Sequence, residues 1–142
     1  MNAYDSRNVK SGATLLACVL LAWNAHALAA DVKVTLSGDN EVPSVKSVGV
    51  GSGFFAIAND KSITGQVNTT GISGTAAHIH EGAPGSAGPV AIPLTKQGDS
   101  YKVPDGTRLT DAQHAAFLAG KLYVNVHTTA NPNGELRGQL KP

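Results

Sequence analysis

Leu122-Tyr123-Val124-Asn125-Val126-His127-Thr128, then Asn131-Pro132-Asn133-Gly134, then Glu135-Leu136-Arg137-Gly138-Gln139-Leu140 is the stretch that decides the fold. Leu122, Val124 and Val126 alternate with Tyr123, Asn125 and His127. A period of two puts the first set on one face of a strand and the second on the other. Asn131 to Gly134 has the residues of a turn. Beyond it, Leu136 and Leu140 alternate with Glu135, Arg137 and Gln139. The segment therefore predicts a β-hairpin with one apolar and one polar face.

The same pattern recurs upstream. Val32, Val34 and Leu36 alternate with Lys33 and Thr35 and predict a first strand. A polar connection from Ser37 to Val48, containing Pro43, follows it. Gly53 to Ala58 and Ile63 to Val67 predict two strands joined by a turn at Asn59-Asp60-Lys61. Shorter strands are expected over 76–81, 90–94 and 98–103, separated by the loops 71–74 and 82–89. Short alternating runs between turn signals are the mark of a sandwich or barrel. The one helix expected is 110–119. Thr110-Asp111-Ala112-Gln113 fits a capping box, Ala115 to Leu118 supply helix formers and an apolar face, and Gly120 is placed to stop it. The expectation is an all-β antiparallel sandwich with one short helix. No repeat or second domain is visible, and 142 residues fit one domain.

The first thirty residues differ from the rest. Arg7 and Lys10 lie in a polar start, Ser11 to Trp23 is mostly apolar, and Ala25-His26-Ala27-Leu28-Ala29-Ala30 offers small residues for cleavage. This is the pattern of a secretory signal peptide over 1–29, leaving a domain of 30–142. The apolar run falls short of the ~20 residues that span a bilayer. The expected location is the periplasm or the exterior, with no membrane span in the mature chain. Cys18, the only cysteine, lies inside the leader. The apolar run continues past it, where a lipoprotein would turn polar. The mature chain thus has no disulfide, and its core must suffice alone. Without Arg7, Lys10 and Asp5 it carries nine basic and nine acidic residues. That balance argues against a nucleic-acid partner, which requires a basic face.

Chemistry centres on histidine. His78 and His80 are two apart, so on a strand they share a face, with Ile79 on the other. His127 shares its face with Asn125 and Tyr123, and Glu135 and Arg137 share one on the next strand. If the two C-terminal strands pair, Tyr123, Asn125, Glu135 and Arg137 form a polar cluster beside His127. Convergence of His78, His80 and His127 would suit copper or zinc, for which neutral imidazole is a good ligand. The alternative is a set of hydrogen-bonded structural histidines in a polar seam. His114, on the helix, is expected at the surface. There is no Gly-x-Ser-x-Gly elbow, phosphate loop or HExxH.

Four segments in order resemble the CHRD (chordin-type) domain family. They are Gly38-Asp39-Asn40-Glu41-Val42-Pro43, Ala77-His78-Ile79-His80-Glu81-Gly82 with Gly88-Pro89-Val90, Tyr123-Val124-Asn125-Val126-His127-Thr128, and Gly134-Glu135-Leu136-Arg137-Gly138-Gln139-Leu140. The resemblance implies an immunoglobulin-like β-sandwich in an exported protein. It implies no activity, and one copy without cysteine-rich modules gives no ground for chordin's growth-factor partner. His78-Ile79-His80 is also similar to the His-Val-His segment of copper/zinc superoxide dismutases. The loop 83–88, however, has no histidine or aspartate, which argues against a bimetallic dismutase. The first expectation is a binding or structural module for an extracytoplasmic protein or surface ligand. The alternative is a copper- or zinc-binding protein using the histidines.

Overall fold

The computed structural model describes Met1 and residues 29–142. Residues 2–28 of the expected leader, with Cys18 and Trp23, lie outside the described residues. Among the described residues, nine strands form two antiparallel sheets. β1 (Ala29–Leu36), β2 (Val50–Ala58), β3 (Ile63–Thr70), β7 (Ser100–Lys102) and β6 (Thr95–Gln97) form the first, in the spatial order β1-β2-β3-β7-β6. β5 (Val90–Pro93), β4 (Gly74–Glu81), β8 (Leu122–Thr128) and β9 (Leu136–Leu140) form the second, in the order β5-β4-β8-β9. The helix α1 (Asp111–Leu118) links β7 to β8. This is the antiparallel sandwich with one short helix that the alternation predicts.

The apolar halves of the strands meet between the sheets. Val32, Val34, Leu36, Phe55, Ile57 and Val67 from the first sheet pack with Ala77, Ile79, Leu122, Val124, Val126, Leu136 and Leu140 from the second, all buried. At about 1.5–3 kcal/mol per large apolar side chain removed from water, this one core holds a domain without disulfides. Among the described residues no helix is long and apolar enough to cross a membrane.

The helix begins as its sequence requires. The Thr110 hydroxyl accepts from the Gln113 amide at 3.1 Å, and the Gln113 side chain accepts from the Thr110 amide at 2.9 Å. Its buried face is narrower than expected. Ala116 and Phe117 enter the core, whereas Ala115 and Leu118 face solvent, Leu118 at 61% exposure. In a single pair of turns packed at one end of the sandwich, only neighbouring positions on one side reach the core.

β8 departs from simple alternation. Leu122, Val124 and Val126 face the core, yet Tyr123 and Asn125 on the opposite face are buried as well. Two connections fold over that outer face. One is the loop 82–89 between β4 and β5; the other is the connection after β1, which opens with a 3-10 turn at Gly38–Asn40. The sandwich therefore has a third, polar layer above β4, β8 and β9.

Candidate metal centre

The polar layer is built by strand register. β4 and β8 pair so that His78 stands opposite Asn125, His80 opposite Tyr123, and Ala76 opposite His127. β8 and β9 pair so that Asn125 stands opposite Arg137 and Tyr123 opposite Gln139. Side chains on this face form a grid: His78 and His80 on β4, then Tyr123, Asn125 and His127 on β8, then Arg137 and Gln139 on β9.

The three imidazoles meet within this grid. His78, His80 and His127 each present a ring nitrogen, and these nitrogens lie within 4.8 Å of one another. The His78 and His127 ring centroids are 4.8 Å apart, and those of His78 and His80 are 5.5 Å apart.

Backbone carbonyls set the tautomers. His80 Nδ1 lies 2.9 Å from the Gly88 carbonyl oxygen, and His127 Nδ1 lies 2.9 Å from that of Pro132. A carbonyl only accepts, so both Nδ1 atoms donate, and in the neutral rings both Nε2 atoms carry lone pairs. His78 Nδ1 is 2.9 Å from His127 Nε2 and must therefore donate to it. His80 Nε2 is buried and has no hydrogen-bond partner. Fixing an imidazole by an Nδ1–H···O=C bond, so that Nε2 points at the ion, is the usual outer support of metal-binding histidines.

Electrostatics favour neutral rings. Burial, reinforced by the charges that His127 and His80 would carry, holds His78 below the ordinary histidine value. Burial also lowers His80, against the opposing pull of the Gly88 carbonyl. A metal ligand must be deprotonated, so both shifts favour ion binding near neutrality. Tetrahedral bonds of about 2.0–2.1 Å to one ion would place the nitrogens ~3.4 Å apart, so the wider pairs must draw together and the 2.9 Å hydrogen bond between His78 Nδ1 and His127 Nε2 must open as the ion takes the proton's place. The donor set of neutral imidazoles, one already orphaned, fits copper or zinc.

The rest of the layer holds this arrangement. Tyr123 stacks on His80 at 5.0 Å between centroids and 8° between planes. Its hydroxyl accepts from the Gly88 amide at 3.1 Å. Gly88 suits this position because a Cβ there would run into the Glu81 carbonyl. Arg137 Nη2 donates to the Ala83 carbonyl at 3.0 Å, and Gln139 Nε2 donates to that of Gly82 at 2.9 Å. The loop that carries the Gly88 carbonyl is thus pinned by side chains of β8 and β9.

Glu135 takes a different place from the one expected. Its carboxylate accepts from Ser47 Oγ at 2.7 Å, from Asn131 Nδ2 at 3.0 Å and from Thr128 Oγ1. These donors hold it below the usual glutamate range. It precedes β9, at the loop end of the hairpin, where hydroxyl and amide donors converge. The carboxylate beside Arg137 is instead Glu41, buried at 8% exposure. Burial raises Glu41 above its ordinary value, with Arg137 opposing. Glu41 carries no strand periodicity; the only sequence signal for it is the Gly-x-x-Glu-Val-Pro segment. His114 lies on the helix, half-buried beside Phe117 and outside the cluster.

A CHRD-domain family profile matches residues 32–140. The chain belongs to the CHRD-domain family. The match covers the sandwich except the first residues of β1 and includes Glu41, the three clustered histidines and Arg137. No curated protein and no solved structure is significantly similar to this CHRD domain.

Proposed function

We propose that this CHRD domain is an exported metal-binding module that holds one copper or zinc ion between His78, His80 and His127. The observation that carries the reading is the buried Nε2 of His80. Its tautomer is set by the Gly88 carbonyl, it has no donor of its own, and it lies with two other imidazoles within 4.8 Å. A purely structural histidine would satisfy that atom, because a buried polar group left unpaired costs about 1–3 kcal/mol. A cation meets the need directly.

His78 and His127 are only half-buried, so an ion would be reached from solvent on their side. A bound ion would supply a Lewis-acidic or redox centre there. The leader-like N-terminus supports a periplasmic or secreted setting, in which the module handles metal or joins a surface partner through it.

Titration of untagged protein with Zn(II) and Cu(II) tests the reading. The expected result is about one ion per chain, lost in His78→Ala/His80→Ala. Equal uptake by the variant, or none by the wild type, would overturn it.

A further inference from the structure

The register grid points to one more ligand. Asn125 stands opposite His78, precedes His127 by two on the same strand, and lies diagonal to His80. It thus lies among the three histidines, with His78 and His80 as cross-strand neighbours and His127 beside it on the same face of its own strand. It is 3% exposed. Its Oδ1 has no hydrogen-bond partner, and neither has His80 Nε2 or Glu41 Oε1. All three atoms are acceptors. Glu41 has the Asn125 amide and the Arg137 guanidinium near it, but Asn125 Oδ1 and a neutral His80 Nε2 are two neighbouring buried acceptors with no donor between them, an arrangement that a cation satisfies.

Glu41 decides which end of the amide faces the histidines. A Cβ built on Gly134 would lie 2.5 Å from Glu41 Oε1 and 2.7 Å from Asn125 Nδ2. The Asn125 NH2 group therefore lies on the Glu41 side. Turning the amide over would set its oxygen against a carboxylate. The carbonyl end is left for the imidazoles.

We infer that Asn125 Oδ1 is a fourth protein ligand of the ion held by His78, His80 and His127, and that Glu41 positions it. This rests on the metal-binding reading. It also narrows the ion. An amide oxygen is a hard donor, which a divalent ion already held by three imidazoles tolerates better than Cu(I), an ion that prefers soft ligands. The Gly-x-x-Glu-Val-Pro segment gains a physical role: it delivers the carboxylate that orients the amide.

The experiment compares Zn(II) and Cu(I) affinities of the wild type, Asn125→Leu and Glu41→Gln/Asn125→Asp, each by competition with a chromophoric chelator. Asn125→Leu should lose Zn(II) affinity by about tenfold or more, in the range that supporting groups of metal sites show, and keep Cu(I) affinity within about twofold. Glu41→Gln/Asn125→Asp, which restores an oxygen with the same total charge, should keep Zn(II). Unchanged Zn(II) binding in Asn125→Leu, or equal loss of both ions, would overturn the fourth ligand while leaving the three-histidine site standing. Should Asn125→Leu fail to fold, loss of Zn(II) alone in the double variant would overturn it. A wild type that takes up neither ion would end both this inference and the reading beneath it.

Discussion

The guanidinium of Arg137 lies over the ring of Tyr123, 3.5 Å from its centroid. Arg137 reaches Tyr123 from β9, while His80 stacks on it from β4, the strand on the other side of β8. The same guanidinium ties down the loop at Ala83 and offsets Glu41. Arg137→Ala removes the stack and the hydrogen bond and leaves Glu41 unbalanced. A loss of about 2–4 kcal/mol is expected, read by urea denaturation. A loss under about 0.5 kcal/mol would show that the layer is not held through this residue.

The core makes a separate prediction. Val124 and Leu136 are fully buried on the inner faces of β8 and β9. Val124→Asp or Leu136→Asp forces a carboxyl into the apolar interior at a cost of several kcal/mol. Soluble expression should fail for both. Wild-type yield and melting of either variant would contradict the placement of these faces.

Stability of the metal-free protein should depend on pH through the layer. His78 and His80 are held below the ordinary value by burial. Between their folded values and about 6.5, the unfolded chain binds more protons than the folded one. Stability therefore rises with pH through that window and is fully present above it. Glu41, raised by burial, acts in the opposite sense above about 4.5. Thermal melts from pH 5.5 to 7.5 should show a melting temperature that falls on acidification. His78→Gln/His80→Gln should flatten that fall, and Glu41→Gln should steepen it. An equal pH dependence in the wild type and in His78→Gln/His80→Gln would contradict the burial of these rings.

Gly134 closes the hairpin loop against the layer at φ +130, a backbone region that L side chains rarely adopt. A methyl there meets both Glu41 and Asn125. Gly134→Ala should destabilise the fold by about 1–3 kcal/mol and weaken metal uptake as well. A destabilised variant with undiminished uptake would separate this loop from the site.

Much of this was legible in the sequence, for reasons visible at particular residues. Leu122, Val124 and Val126 alternate cleanly because they face one core, and His78 and His80 share a face because the strand period is two. Thr110 and Gln113 form their box through contacts three residues apart. The rest depends on distant pairing. No periodicity shows that β4 lies beside β8, which is what brings His127 to His78. Nor does it show that two loops cover the outer face and bury Tyr123, Asn125 and Arg137. Strand alternation alone places Glu135 beside Arg137. Hydroxyl donors from Ser47 and Thr128 draw it away, and Glu41, 96 positions distant in the chain from Arg137, takes that place.

The central claim is that one ion sits among the three imidazoles, and anomalous diffraction from crystals grown with Zn(II) addresses it most directly. The account predicts a single strong peak within about 2.0–2.1 Å of a ring nitrogen of each of His78, His80 and His127. A zinc-loaded crystal with no peak there, or with the ion held by surface carboxylates instead, would contradict it.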